Sequence, residues 1–105
     1  MVKELTVDIF EEEVLKSDIP VIVDCYATWC GPCKMMAPVV EKVSEKYEGK
    51  VKFCKIDTDN AMDIAMKYRV VSIPDFLCFK DGELVDQAVG AMPEAQFEAV
   101  VNKLI

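Results

Sequence analysis

Histidine is absent from the chain. That omission excludes nucleophiles activated by imidazole, histidine proton shuttles and histidine-ligated metals. Any catalysis falls to thiols, carboxylates or lysines. Four glycines and five prolines form no linker, and there is no repeat or low-complexity tract, so residues 1–105 are expected to make a single domain. Positive charge is scarce as well. Twelve Lys and Arg against nineteen Asp and Glu give a net charge of −7, which argues against nucleic acid or an anionic membrane as partner. No stretch approaches the ~20 apolar residues of a membrane span. The first residues also lack the basic start and apolar run of a signal peptide, so a cytoplasmic location is expected.

What is present suits a packed core. The 105 residues are 52% hydrophobic and 30% charged, and a chain of this length buries roughly 65% of its unfolded surface. Five cysteines are an odd number for a secreted disulfide scaffold. A Cys-x-x-Cys pair inside an intracellular α/β domain points to redox chemistry or metal binding.

The patterning predicts the order βαβαβαββα. A short strand over Lys3 to Thr6 precedes a helix in which Asp8 caps, Glu11 completes a capping box, and Val7, Phe10 and Val14 form the apolar stripe. Val21-Ile22-Val23 is the continuous apolar run of a strand covered on both faces. From Cys30 to Tyr47 the positions Cys33, Met36, Val40, Val43 and Tyr47 trace one helical face, with a kink expected at Pro38. Val51 to Asp57 reads as a strand. The third helix has Asn60 or Asp59 as cap and Ala61, Ile64, Ala65 and Tyr68 as its stripe. Phe76 to Phe79 and Glu83 to Val89 flank the hairpin signal Lys80-Asp81-Gly82, and Pro93 opens a last helix with Phe97, Val100, Val101 and Leu104 inward. Right-handed crossovers make the first strands parallel and the hairpin adds antiparallel ones, so the sheet is mixed, with five strands and four helices.

Chemistry in such sheets gathers at the carboxyl ends of the parallel strands, where helix N-termini point. Trp29-Cys30-Gly31-Pro32-Cys33 lies at such a place. Cys30 falls at the first turn of the second helix, where free N–H groups and the macrodipole stabilise a thiolate. Cys33 is three residues on along the same face, within small adjustment of disulfide distance. Gly31 leaves room for a partner, and Pro32 needs no hydrogen bond at its nitrogen. Cys30, at the exposed end, is the expected nucleophile, and Cys33, one turn inward, the resolving thiol. Asp24 ends a buried strand, and burial raises a carboxyl pKa. Lys55, in the next strand, reaches the same layer, so a buried Asp24 and Lys55 pair is expected to help deprotonate Cys33.

Trp29-Cys30-Gly31-Pro32-Cys33-Lys34, with Asp24 upstream, Ala37-Pro38 in the helix, Lys55 in the following strand, Ile73-Pro74 downstream and Gly90 later, resembles the thioredoxin family over nearly the whole chain. The resemblance implies the thioredoxin fold and a dithiol protein that reduces disulfides in client proteins and is re-reduced by a thioredoxin reductase, with no cofactor or metal of its own. It makes Cys30 the attacking thiolate, Cys33 the resolving thiol, Asp24 the buried base with Lys55 beside it, and Trp29 a cover over the site. Ile73-Pro74 would carry a cis peptide bond that leaves the Ile73 backbone free to pair with an extended client strand. Gly90 would complete a flat apolar docking surface, and a monomer is expected.

Three departures stand out. Asp75 follows the expected cis-proline where threonine is usual in the family, which brings a carboxylate near the dithiol; if exposed it would oppose thiolate formation and disfavour acidic clients. Tyr26 replaces a common tryptophan. Cys25, Cys54 and Cys78 occupy strand positions where larger apolar residues are usual, and read as small buried hydrophobes. Two other cysteine readings are a zinc site, which needs four ligands, and an iron–sulfur cluster bridging two chains. A partner-binding module without electron transfer, and an oxidant or isomerase, are the alternative functions.

Overall fold

Val21, Ile22 and Val23 have apolar neighbours on both sides because helices cover both faces of the sheet they belong to. The computed structural model describes all residues, Met1–Ile105. Its strands are β1 (Val2–Leu5), β2 (Val21–Tyr26), β3 (Lys52–Asp57), β4 (Asp75–Lys80) and β5 (Glu83–Val89), lying in the order β1-β3-β2-β4-β5. β1, β3 and β2 are parallel, whereas β4 runs antiparallel to β2 and β5 antiparallel to β4. The helices are α1 (Val7–Phe10, continued by a π-helical segment Glu11–Leu15), α2 (Gly31–Lys46), α3 (Met62–Lys67) and α4 (Glu94–Asn102). This is the mixed five-stranded, four-helix thioredoxin fold. No helix is long and apolar enough to cross a membrane.

Side-chain alternation along each strand divides the core in two. Val21, Val23, Cys25, Cys54, Ile56, Leu77 and Phe79 face Phe10 and Val14 of the first helix and Ile64 of α3. Ile22, Phe53, Phe76 and Cys78 face Met36, Val40 and Val43 of α2 and Phe97 and Val101 of α4. Aromatic rings carry both halves: Phe79 meets Tyr68 edge-on at 5.1 Å, and Phe76 meets Phe97 at 4.9 Å.

Several local details differ from the expectations. Thr6, not Asp8, occupies the N-cap of α1, and its hydroxyl donates to the Asp8 carboxylate inside the first turn. The strand ends at Leu5, and the helix must begin at once to bring Phe10 and Val14 onto the sheet. Starting this early leaves Val7 turned toward solvent instead of in the stripe. Neither Asp59 nor Asn60 caps α3. Asp57 accepts from the Asp59 backbone N–H at 3.0 Å and closes a 3-10 turn, Thr58–Asn60, after which Ala61 precedes α3 without a side-chain cap. Pro38, where a kink is expected, lies inside the single helix Gly31–Lys46.

At the hairpin, Asp81 and Gly82 have φ of 54° and 80°, the positive pair that suits the twist of antiparallel strands. A Cβ on Gly82 would lie 2.9 Å from the Leu15 carbonyl oxygen, so this turn is pressed against the end of the first helix.

Candidate active site

β2 delivers the chain to the carboxyl edge of the sheet, and α2 starts there. Cys30 is the N-cap residue of α2, with extended backbone, and its sulfur accepts the Cys33 backbone N–H at 3.2 Å. The sulfur thus fills the acceptor role that a serine or aspartate oxygen plays at other helix starts. Such a bond strengthens when the acceptor is charged, and it adds to the macrodipole in favouring a Cys30 thiolate. Pro32 occupies the first turn, where its missing N–H is no loss. Cys30 and Cys33 are joined as a disulfide with their Cα atoms 5.3 Å apart.

The two cysteines are equally buried, each 4% exposed, so Cys30 is not the more exposed one. Their difference lies in helix position and in surroundings. Gly31 and Pro32 beside them are exposed, and nothing within 4 Å would meet a Cβ on Gly31, so a partner can approach there. The Cys30 sulfur lies 3.8 Å from the Ile73 carbonyl oxygen. Ile73-Pro74 is a cis peptide. The Pro74 carbonyl accepts the Gly90 N–H at 2.8 Å, and Gly90, at φ 99°, holds a conformation that side chains disfavour. Trp29 is 69% exposed, and its indole N–H donates to Asp59 at 2.8 Å. Ile73 packs against Cys30 and Cys33, and Gly90 is tied to the same loop through Pro74.

Asp24 is 5% exposed on the α2 side of the sheet, and its Oδ1 has no hydrogen-bond partner. It shares with Cys33, Tyr26, Ala37 and Lys55 the wall of a cavity of about 310 Å³. Burial pushes its pKa up to about 7; Lys55 offsets part of this, and Glu4 adds slightly to it. Lys55 is aligned with Asp24 across the parallel ladder, but the expected buried ion pair does not form. The lysine stem carries its ammonium outward, over the Tyr26 ring at 5.8 Å and to Glu4 at 3.9 Å. Tyr26 donates to the same Glu4 at 2.8 Å.

Asp75 departs most from expectation. It is 1% exposed and points to the α3 side, away from the sulfurs, where Gln87 donates to its Oδ2 at 2.6 Å. It is not available to a client, and its carboxyl pKa is raised by burial, with Gln87 opposing. The three other cysteines are buried thiols: Cys25 and Cys54 on the α1 and α3 face, Cys78 on the opposite one. No three Cys, Asp or Glu side chains gather as a metal site. Sequence reasoning missed Glu4, Asp59 and Gln87, whose partners lie 12 to 51 residues away and leave no local signal.

A helix-capping dithiol at the carboxyl edge of a mixed sheet, beside a cis-proline loop and over a buried carboxyl, defines a thiol–disulfide oxidoreductase. The family described as Thioredoxin matches residues 1–103. Thioredoxin of Porphyra purpurea is 45% identical over 104 residues, covering 99% of this chain and 97% of the relative. Thioredoxin 1 of a Nostoc species is 45% identical over 100 residues, covering 95% of this chain and 94% of the relative. A mitochondrial thioredoxin of Bos taurus is 46% identical over 96 residues, 91% of this chain and 58% of the relative. The chain belongs to the thioredoxin family. It is a protein-disulfide reductase that cycles its Cys30 and Cys33 pair between dithiol and disulfide through a mixed disulfide, and membership implies disulfide-bearing clients and a thioredoxin reductase.

Proposed function

We propose that Cys30 and Cys33 act in sequence with Asp24 as the proton acceptor, in a chain that works as a monomeric cytoplasmic reductant and binds no nucleic acid. The Cys30 thiolate attacks one sulfur of the client disulfide; a Cys30–client disulfide forms and one client thiolate leaves. Asp24, as carboxylate, then takes the Cys33 thiol proton across their shared cavity. The Cys33 thiolate attacks the Cys30 sulfur, closing the Cys30–Cys33 disulfide and releasing the second client thiolate. Two electrons pass to the client, and the reductase returns them. A carboxyl with pKa of about 7 divides its time between base and acid near neutral pH, as a proton shuttle must.

Docking falls to Trp29, the open Gly31 and Pro32 edge, Ile73-Pro74 and Gly90. The backbone N–H groups of Val71, Ser72 and Ile73 form no backbone hydrogen bond, which leaves this edge free to add an extended client segment. Lys55 acts at a distance, through the field it places on Asp24.

The observation that carries this reading is the cavity that Asp24 and Cys33 line together. Insulin reduction tests it. Cys30→Ser is expected to abolish turnover, and Cys33→Ser to accumulate a covalent adduct with the client on a non-reducing gel. Asp24→Asn is expected to slow release of the mixed disulfide near pH 7; an unchanged rate removes Asp24 from the mechanism. A reduction potential close to that of a strong oxidant would defeat the direction of transfer.

A further inference from the structure

Loop 69–74 between α3 and β4 carries Ile73 and Pro74; backbone bonds hold it near its ends, from Arg69 and Val70 to Met66 and Ala65 and from Gly90 to Pro74, whereas Val71 to Ile73 donate none. Arg69 has φ 55°, Val71 is 91% exposed, and Ser72 is exposed. Its position must be set at its two ends. At one end stands Tyr68, which closes α3; at the other stands Asp75, the first residue of β4.

Both ends meet one side chain. Gln87 lies on β5 opposite Leu77, diagonal to Asp75 on the same face of the sheet. Its Nε2 has two N–H bonds and donates to the Asp75 carboxylate at 2.6 Å and to the Tyr68 backbone carbonyl at 3.4 Å. β5 is thus bonded at both ends of the loop whose Ile73 carbonyl lies 3.8 Å from the Cys30 sulfur.

We infer that Gln87 is a positioning residue for client docking, its amide clamping both ends of loop 69–74 by way of Asp75 and the Tyr68 carbonyl. This rests on the reading that clients pair with the Ile73 backbone. It gives the buried Asp75 a role: its Oδ2 is the acceptor that holds the Gln87 amide. Asp75 Oδ1 has no hydrogen-bond partner, so the Gln87 bond is the one that holds the carboxylate.

A clamp of this kind affects a client that must add a strand and spares a small disulfide that only has to reach Cys30. The test is single-turnover oxidation of the pre-reduced protein by insulin and, separately, by hydroxyethyl disulfide. Gln87→Met removes the donor at nearly constant volume. The half-saturating insulin concentration is expected to rise about tenfold, the cost of losing the two partly buried Gln87 hydrogen bonds. The limiting rate and the hydroxyethyl disulfide rate are expected to stay within about twofold. Asp75→Asn keeps an acceptor oxygen for Gln87 and is expected to bind insulin within about twofold of the parent, whereas Asp75→Leu behaves like Gln87→Met.

Equal losses with both substrates, or no loss with insulin, overturn the inference. If Gln87→Met does not fold, the double variant Asp75→Leu, Gln87→Leu decides by the same criterion, because removing both partners leaves neither of these side chains buried and unpaired. The parent controls for the docking reading: insulin oxidation of the parent that does not saturate refutes strand docking itself. A parent that saturates beside an unaffected variant refutes only the clamp.

Discussion

Asp24 and Lys55 are partners in the parallel ladder, yet the lysine forms its ion pair with Glu4, 3.9 Å away on the neighbouring strand. The row Glu4, Lys55, Asp24 crosses three strands on one face, with charge alternating in sign. Its inner end is desolvated and its outer end is wet. A lysine keeps its ammonium in water, so the pairing goes outward. The inner carboxyl keeps a pKa of about 7.

Stability should therefore fall with pH in a window that Asp24 sets. Burial raises its folded pKa from 3.8 to about 7, so the folded chain holds a proton there that the unfolded chain has released. The favourable contribution of the neutral form is complete below pH 4 and is lost as pH rises toward 7 and above. Asp24→Asn is expected to stabilise the oxidised protein by up to about 4 kcal/mol at pH 8 and by almost nothing at pH 4. Urea denaturation at the two pH values checks this, and equal effects at both would contradict it.

Glu4 should tune the same group from outside. Glu4→Gln removes a negative charge that favours the neutral carboxyl and frees Lys55 to act on Asp24 alone. The pH midpoint for release of the mixed disulfide is expected to move down by about half a unit, the scale of one screened interaction near the surface. An upward shift in stopped-flow release rates would refute the assignment.

The three strand cysteines should be inert. Burial pushes the Cys54 thiol up to about 11 and the Cys78 thiol up to about 12, and raises Cys25 as well, with Asp75 and Asp24 adding to it. Iodoacetamide at pH 8 is expected to label the reduced native protein first at Cys30, and Cys25, Cys54 and Cys78 only in denaturant. Mass spectrometry of peptides reads the order. Early label on a strand cysteine would show that the sheet opens.

Gly82 should be intolerant of any side chain. Its φ of 80° and the Leu15 carbonyl at 2.9 Å from a built Cβ combine strain with a clash against backbone. Gly82→Ala is expected to cost about 1–3 kcal/mol and to lower Tm by roughly 5–15 °C in a domain of this size, with insulin reduction unchanged in the folded state. A Tm within about 2 °C of the parent would mean that the turn can move off the helix.

Much of this molecule was legible in one dimension because its signals are local. A spacing of three put Cys30 and Cys33 on one helical face, and the periods of helix and strand gave the element order and most of the core. Asp24 was recognisable from the apolar run before it. Other features depended on which strands became neighbours. Asp75 and Phe76 through Phe79 form a strand buried on both faces, where alternation gives no cue to direction, so only the assembled sheet turned Asp75 away from the sulfurs and toward Gln87. Lys55 was correctly aligned with Asp24, but the ladder also brought Glu4 alongside, and the gradient from dry interior to water chose between them. The chain alone determined the reactive pair and the scaffold; tertiary structure decided the charges and clamps around them, because Coulomb interactions and buried hydrogen bonds depend on distance and solvent, which residue spacing does not encode.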